Sequence, residues 1–249
     1  MRIVQFLLAF SALLIAAAAD AAKPAIILVH GAFANASGWD RVIPILQRDG
    51  FEVIGVENPL QSLKGDIAAT RRAIGSFDGP VILVGHSYGG AVISGAATGN
   101  AKVKALVFVA AIAPDAGEPV NNFFAKYPAQ ANSAVKQDGA GFLTIDRARF
   151  HELFASDLPA VEGAVLAATQ KPIRSANFAA ALQEPAWKSI PSWYVVAASD
   201  RALNPDLERF YAKRMGARTT EIAGSHFLFL SHPQEVARVI EEAAASVGK

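Results

Sequence analysis

The sequence predicts an α/β fold: a mostly parallel central sheet, helices on both faces, and an inserted helical cap. Three observations carry this. Short apolar runs alternate with segments of helical spacing from Ile26 to Ser246. The runs carry apolar residues on both faces, as strands buried in a parallel sheet must, and the segments between them are long enough to be crossover helices. One stretch, from Asp115 to about Lys188, breaks the rhythm and is too long for an ordinary loop.

In chain order, Ile26–His30 reads as a strand ending at Gly31. Trp39, Val42, Ile43 and Leu46 give helical spacing over Trp39–Arg48, stopped by Gly50. Phe51–Val56 is a second strand and Asp66–Phe77 a second helix, closed near Gly79-Pro80. Val81–Val84 is a central strand, Ser87–Thr98 a helix stopped by Gly99-Asn100, and Val103–Ala111 a further strand. The irregular stretch shows helical patches at Ala148–Ala155 and Ala160–Thr169 and no clear strand, so it is read as a helical cap over about 115–188. Alternation then resumes with strand Ser192–Ala198, helix Asp206–Met215, strand Arg218–Ala223 and helix Pro233–Ser246.

The chain has 249 residues, 52% of them hydrophobic, enough for one domain with a sizeable core. Lys and Arg number 23 against 22 Asp and Glu, which lacks the basic footprint of a nucleic-acid binder. With no cysteine, disulfides, thiolate metal sites and a cysteine nucleophile are excluded. The N-terminus has one cation, Arg2, then an apolar run from Ile3 to Ala19, and Ala19-Asp20-Ala21 fits a small-x-small cleavage site. Residues 1–21 are therefore expected to be a secretory signal peptide, and the domain to span 22–249. An uncleaved anchor is the alternative, since the run lies at the lower edge of spanning length. Export points to a bacterial periplasm or exterior, with no membrane association after cleavage.

Gly85-His86-Ser87-Tyr88-Gly89 carries the chemistry. Gly-x-Ser-x-Gly between a strand and a helix is the context of a nucleophile elbow, where glycines permit a turn that presents the serine above the sheet. Serine needs a base. Of five histidines, His30 abuts Gly31 and props a loop, His86 is locked inside the elbow, His151 lies in the cap, and His232 precedes Pro233 at a helix start. His226 remains, in the loop after the last strand, where strand ends converge on the elbow. The acid that orients it is Asp200 or Asp115, each following a strand; Asp206 suits the first turn of a helix. For a developing oxyanion, the backbone N–H of Tyr88 is one donor and that of Ala32, after the first strand, the other. No cofactor is expected: no His-Glu-x-x-His or dinucleotide-type glycine motif is present.

Taken together, Val29–Phe33 with Trp39 (VHGAF…GW), GHSYGG at Gly85–Gly90, SDRALNP at Ser199–Pro205 and GSHFLFLSHP at Gly224–Pro233 resemble the α/β-hydrolase fold over residues 24–247. The branch resembled holds plant methylesterases, hydroxynitrile lyases and small bacterial esterase-like proteins. That resemblance implies a triad of Ser87, Asp200 and His226, oxyanion donors at Ala32 and Tyr88, and Asp200 over Asp115. One departure matters. The lyases resembled carry a lysine directly after the catalytic histidine and a threonine beside the oxyanion loop, where this chain has Phe227 and Ala32. Epoxide hydrolases and haloalkane dehalogenases of the fold use an aspartate where this chain has Ser87.

The expectation is a serine hydrolase acting on a small to medium apolar carboxylic ester through an acyl-enzyme. Its pocket would be lined by some of the cap aromatics Phe123, Phe124, Phe142, Phe150, Phe154, Phe178 and Trp187, with Phe227 and Phe229 flanking His226. Two rivals stand beside it: a hydrolase-like ligand-binding receptor, and a lyase or cofactor-free haloperoxidase-type enzyme using the same residues. Ester turnover separates them.

Overall fold

The computed structural model describes residues 23–247. The expected signal peptide, residues 1–21, lies outside the described residues. Six strands form one parallel sheet in the order β2-β1-β3-β4-β8-β9: β1 Ala25–Val29, β2 Val53–Val56, β3 Val81–His86, β4 Val103–Val109, β8 Ser192–Ala197 and β9 Arg218–Ile222. The inner strands β1, β3 and β8 are buried at every residue, because helices cover both faces. The edge strands β2 and β9 are partly exposed, each burying only its last residue.

Helices α1 (Ile43–Arg48) and α9 (Pro233–Ala244) pack together, while α2 (Leu63–Gly75) and α3 (Gly89–Ala97) form another pair against the sheet. Local chemistry sets their ends. Ser62 caps α2 by accepting from the Gly65 N–H, which starts the helix three residues before the expected Asp66. The expected helix over Trp39–Arg48 is split into a 3-10 turn at Ala36–Trp39 and α1, because Pro44 is tolerated only in a first turn. Helix α7 (Pro205–Met215) has Asn204 as its N-cap, Pro205 in its first turn, and Gly216 at φ 62° closing it in the left-handed region.

The insertion after β4 differs from expectation. It carries helices α4 (Arg147–Phe154), α5 (Ala160–Thr169) and α6 (Ala176–Ala179), but also a three-stranded antiparallel sheet of β5 (Val135–Gln137), β6 (Phe142–Ile145) and β7 (Ile173–Arg174). The cap is therefore mixed, not purely helical. Its strands are two to four residues long, too short for an alternating pattern to stand out. A last short helix, α8 (Leu228–Ser231), separates β9 from α9.

The strand order places β1 between β2 and β3, so the chain leaves β1 on one side and returns on the other. That switch point opens a crevice beyond the carboxyl ends of β1 and β3. The loops carrying Ala32 and Ser87 begin there.

Candidate active site

Ser87 follows β3 and sits at φ 54°, in the left-handed region that serine rarely adopts. The chain tolerates this because the turn is over-determined. The Ser87 N–H donates to Val109 O at 3.1 Å, and Ser87 O accepts from the N–H groups of Gly90 and Ile112, each at 3.0 Å. The glycines are sterically required: a Cβ on Gly85 would lie 2.6 Å from Gly89 O, and one on Gly89 would lie 2.5 Å from Val29 O. The elbow thus packs directly on the end of β1. Tyr88 is the N-cap of α3, so its N–H is not used by the helix ladder and lies at the positive end of the helix dipole.

The loop after β1 presses on the same turn. A Cβ on Gly31 would meet Ser87 Cβ at 2.6 Å. His30 is buried and its tautomer follows from its partners. The Asn58 N–H donates to His30 Nε2 at 2.9 Å, so the ring proton is on Nδ1, which donates to Gly31 O at 2.8 Å. Burial holds the imidazole below its usual pKa and so neutral. Since Gly31 O and Ala32 N–H belong to one trans peptide, fixing the carbonyl toward His30 turns the N–H the other way. Ala32 lines the cavity that also exposes Ser87. His30 therefore props the loop, as expected, at the peptide that carries the expected oxyanion donor.

His226 follows β9, and its Nδ1 donates to Asp200 Oδ2 at 2.5 Å. Both side chains are almost fully buried. Asp200 is itself held: its Oδ1 accepts the N–H groups of Ala202 at 2.6 Å and Leu203 at 2.8 Å. Ser87 and His226 line one cavity. Asp115 instead pairs with Lys188 at 2.5 Å near the surface, and that hydrogen bond holds its carboxyl below the usual range. The other histidines go where expected or nearby. His86 lies beneath His226 with ring centroids 4.6 Å apart, and its Nε2 bonds His226 O at 3.0 Å. His151 bonds Leu158 O within the cap, and His232 pairs with Glu235 at the start of α9.

The cavity measures about 310 Å³. Phe124, Phe154 and Phe178 line it; Phe150 lies in the cap core stacked on Phe154, and Phe123 and Trp187 pack around Arg214. Val135, Gln137, Leu143 and Ile145 from β5 and β6 also line the cavity, so strands too short to show a pattern in the sequence form part of the site. Its polar groups besides Ser87 and His226 are Asn121, Asn132, Gln137 and Ser175, and none of the described lining residues is Asp, Glu, Lys or Arg. These amides had no signature in the sequence, because their placement depends on how the cap folds back. A larger groove of about 1240 Å³ lies at the amino ends of β3, β4, β8 and β9, away from Ser87.

A parallel sheet with a serine elbow after β3, an aspartate after β8 and a histidine after β9 defines the hydrolase arrangement of this topology. The chain belongs to the alpha/beta hydrolase family, whose model matches residues 26–239. It is 29% identical to methylesterase 7 of Arabidopsis thaliana, over 88% of this chain and 95% of that protein. It is 27% identical to the alpha/beta hydrolase nvfD of Aspergillus novofumigatus, over 89% of this chain and 97% of that protein. The crystal structure of a pyrethroid hydrolase from Sphingobium faniae superposes with a TM-score of 0.78 at 22% identity, covering 90% of this chain and 98% of that one. The esterase-like names are those of the proteins it resembles; what the chain itself shares with them is the alpha/beta hydrolase family and fold.

Proposed function

We propose that the protein is a serine hydrolase that cleaves small to medium, uncharged, largely apolar carboxylic esters. The observation that carries this is the His226–Asp200 hydrogen bond, with His226 and the strained Ser87 facing one cavity. In this reading Ser87 Oγ attacks the ester carbonyl as His226 Nε2 takes its proton. The Ala32 and Tyr88 N–H groups receive the charge that develops on the carbonyl oxygen. His226 returns the proton to the departing alcohol, then deprotonates a water that attacks the acyl-enzyme, releasing the acid and restoring Ser87. Asp200 holds the tautomer and stabilises the transient imidazolium.

A lining without formal charge favours a neutral ester, since a charged substrate buried there would lack a counter-ion. Hydrolysis is favoured over cyanide-releasing lyase chemistry because Phe227, buried at 1% exposure, follows His226 where the lyases resembled carry lysine. Export to the periplasm or exterior belongs to the same proposal, and mass spectrometry of the secreted N-terminus tests it: cleavage near Ala21 is expected, and an intact Met1 sinks it.

The primary test is hydrolysis of a short-chain p-nitrophenyl ester by residues 22–249 beside Ser87→Ala and His226→Ala. Each substitution is expected to lower kcat by several orders of magnitude, about 10⁴-fold or more. Folded wild type with no turnover above the Ser87→Ala background overturns the proposal in favour of a binding role.

A further inference from the structure

The helix that follows the Asp200 loop buries an acid. Helix α7 exposes Asp206, Arg209 and Lys213 but turns Leu207, Glu208, Tyr211 and Ala212 inward. Glu208 has no accessible surface. Its Oε2 accepts the N–H of Ala197, the last residue of β8, at 2.9 Å. Its Oε1 is buried, and no donor reaches it among the described residues. The adjacent Arg209 commits its guanidinium to Glu221 and Asp206 at the surface.

The groups facing Glu208 are few. Asp200 converges on the same residue, its N–H donating to Ala197 O at 3.1 Å while Glu208 accepts the Ala197 N–H, and Tyr194 on β8 is near both carboxyls. The Tyr194 hydroxyl is taken by Ala111 O, and Tyr211 of α7 neighbours that ring. Two neighbouring buried carboxyls repel when both are charged, so one of them keeps a proton. The donors decide which one keeps a proton. Asp200 accepts from Ala202 N–H, Leu203 N–H and His226 Nδ1, whereas Glu208 accepts only from Ala197 N–H. Burial first, and then the charge of Asp200, hold the Glu208 carboxyl well above the usual range.

We propose that Glu208 is a positioning residue for the Ser87–His226–Asp200 set: a neutral carboxylic acid that donates its Oε1 proton in a hydrogen bond to Asp200 and so holds that carboxylate toward His226. The proposal rests on the reading of those three residues as the reacting set. Its consequence is electrostatic as well as geometric. A further donor on Asp200 spreads its charge, so the proton that His226 gains from Ser87 stays on the imidazolium instead of passing to Asp200.

The experiment compares Glu208→Gln with Glu208→Met in the 22–249 protein, reading kcat, KM and the pH profile of p-nitrophenyl ester hydrolysis. Glutamine keeps both an acceptor for Ala197 N–H and a donor toward Asp200; methionine fills the volume with neither. In E208M, kcat is expected to fall roughly tenfold or more with little change in KM, the size of one lost charge-assisted hydrogen bond. The acid limb of its kcat/KM profile should move to higher pH. E208Q should restore most of the lost rate and keep the wild-type limb. E208M with wild-type kcat and profile, or E208Q as impaired and shifted as E208M, overturns the proposal.

Should E208M fail to fold, infrared spectroscopy decides the matter on wild type and E208Q. A buried protonated-carboxyl band present at neutral pH in wild type and missing in E208Q is expected; no such difference overturns the proposal. This readout needs no turnover. An inactive wild type that keeps the band therefore refutes the ester-hydrolase reading while leaving the protonation of Glu208 established.

Discussion

Asp157, just beyond α4 in the cap, accepts the backbone N–H of Ser225 at 2.8 Å and the Ser225 hydroxyl as well, one residue before His226. It also accepts the Ser231 hydroxyl at 2.7 Å. A further bond joins the same elements: the Phe227 N–H donates to Phe154 O at 3.0 Å. One carboxylate of the cap thus grips both ends of the turn that carries the proposed base.

Asp157→Ala is therefore expected to destabilise by about 1 kcal/mol and to lower kcat several-fold, since the lost bonds are partly open to water. The pH dependence has a defined sign. Partial burial pushes the Asp157 carboxyl up, but the bonds from Ser225 and Ser231 outweigh it and hold it below the usual range. The stabilisation is thus present above the ordinary aspartate range and lost as pH falls through the depressed value. Urea unfolding of wild type and D157A should differ at pH 7 and converge in acid. A constant gap across pH would contradict this.

His30 orients the Gly31–Ala32 peptide, so His30→Phe, which fills the site but cannot donate, should free that peptide to turn. A loss of roughly ten- to hundredfold in kcat is expected, short of the effect of deleting an oxyanion donor outright. KM should change little, because the His30 ring does not line the cavity. Steady-state kinetics on one ester checks this, and a variant with raised KM and intact kcat would remove the role assigned to the ring.

Tyr88 reaches the core through its hydroxyl, which donates to Asp66 Oδ2 at 2.8 Å and accepts from Asn177 Nδ2 at 3.0 Å. Asn177 belongs to α6 of the cap and Asp66 to α2, so the residue after the serine joins cap and body. Tyr88→Phe should cost about 1–3 kcal/mol, since it removes a buried partner from two polar side chains. Burial raises the Asp66 carboxyl above its usual value. The folded state then binds a proton that the unfolded chain releases, so this group's contribution falls as pH rises from the ordinary aspartate range through the raised value. Asp66→Asn should lack that fall, which thermal unfolding from pH 4 to 7 would reveal; parallel curves would refute it.

Gly89→Ala places a Cβ 2.5 Å from Val29 O and 3.0 Å from His30 O, both backbone atoms of the first strand's end. A cost of about 1–3 kcal/mol with near-complete loss of activity is expected, because the elbow must move to relieve the contact. Gly79→Ala, where no atom lies within 4 Å, serves as the control and should be close to neutral. Equal stabilities for the two variants would show that the elbow yields freely.

Much of the fold was legible because parallel strands buried on both faces read as plain apolar runs. β1, β3, β4 and β8 were found within two residues of their ends, and α5 at the stated bounds. Errors fell where local signals conflict. Pro44 interrupted an otherwise helical spacing, and the elbow delayed α3 to Gly89 although the pattern ran from Ser87. The cap strands escaped because β5 is exposed throughout and β7 has two residues, leaving no alternation to read. The sequence favours Asp200, with Asp115 as its competitor because each follows a strand of the same sheet.

The elbow, the chain order of Ser87, Asp200 and His226, and the parallel core are all legible in the sequence. These are local or periodic properties: glycine sterics, chain order and hydrophobic runs act through near neighbours. Long-range packing sets the rest: Asp200 meets His226 while Asp115 turns to Lys188, cap strands line the cavity, Asp157 of the cap holds Ser225, and Glu208 of α7 is buried against Ala197. Such contacts join residues far apart in the chain. Whether a carboxylate is solvated, paired or buried beside another acid is fixed by which side chains the packing brings within hydrogen-bond reach, and no single stretch of sequence encodes that distance.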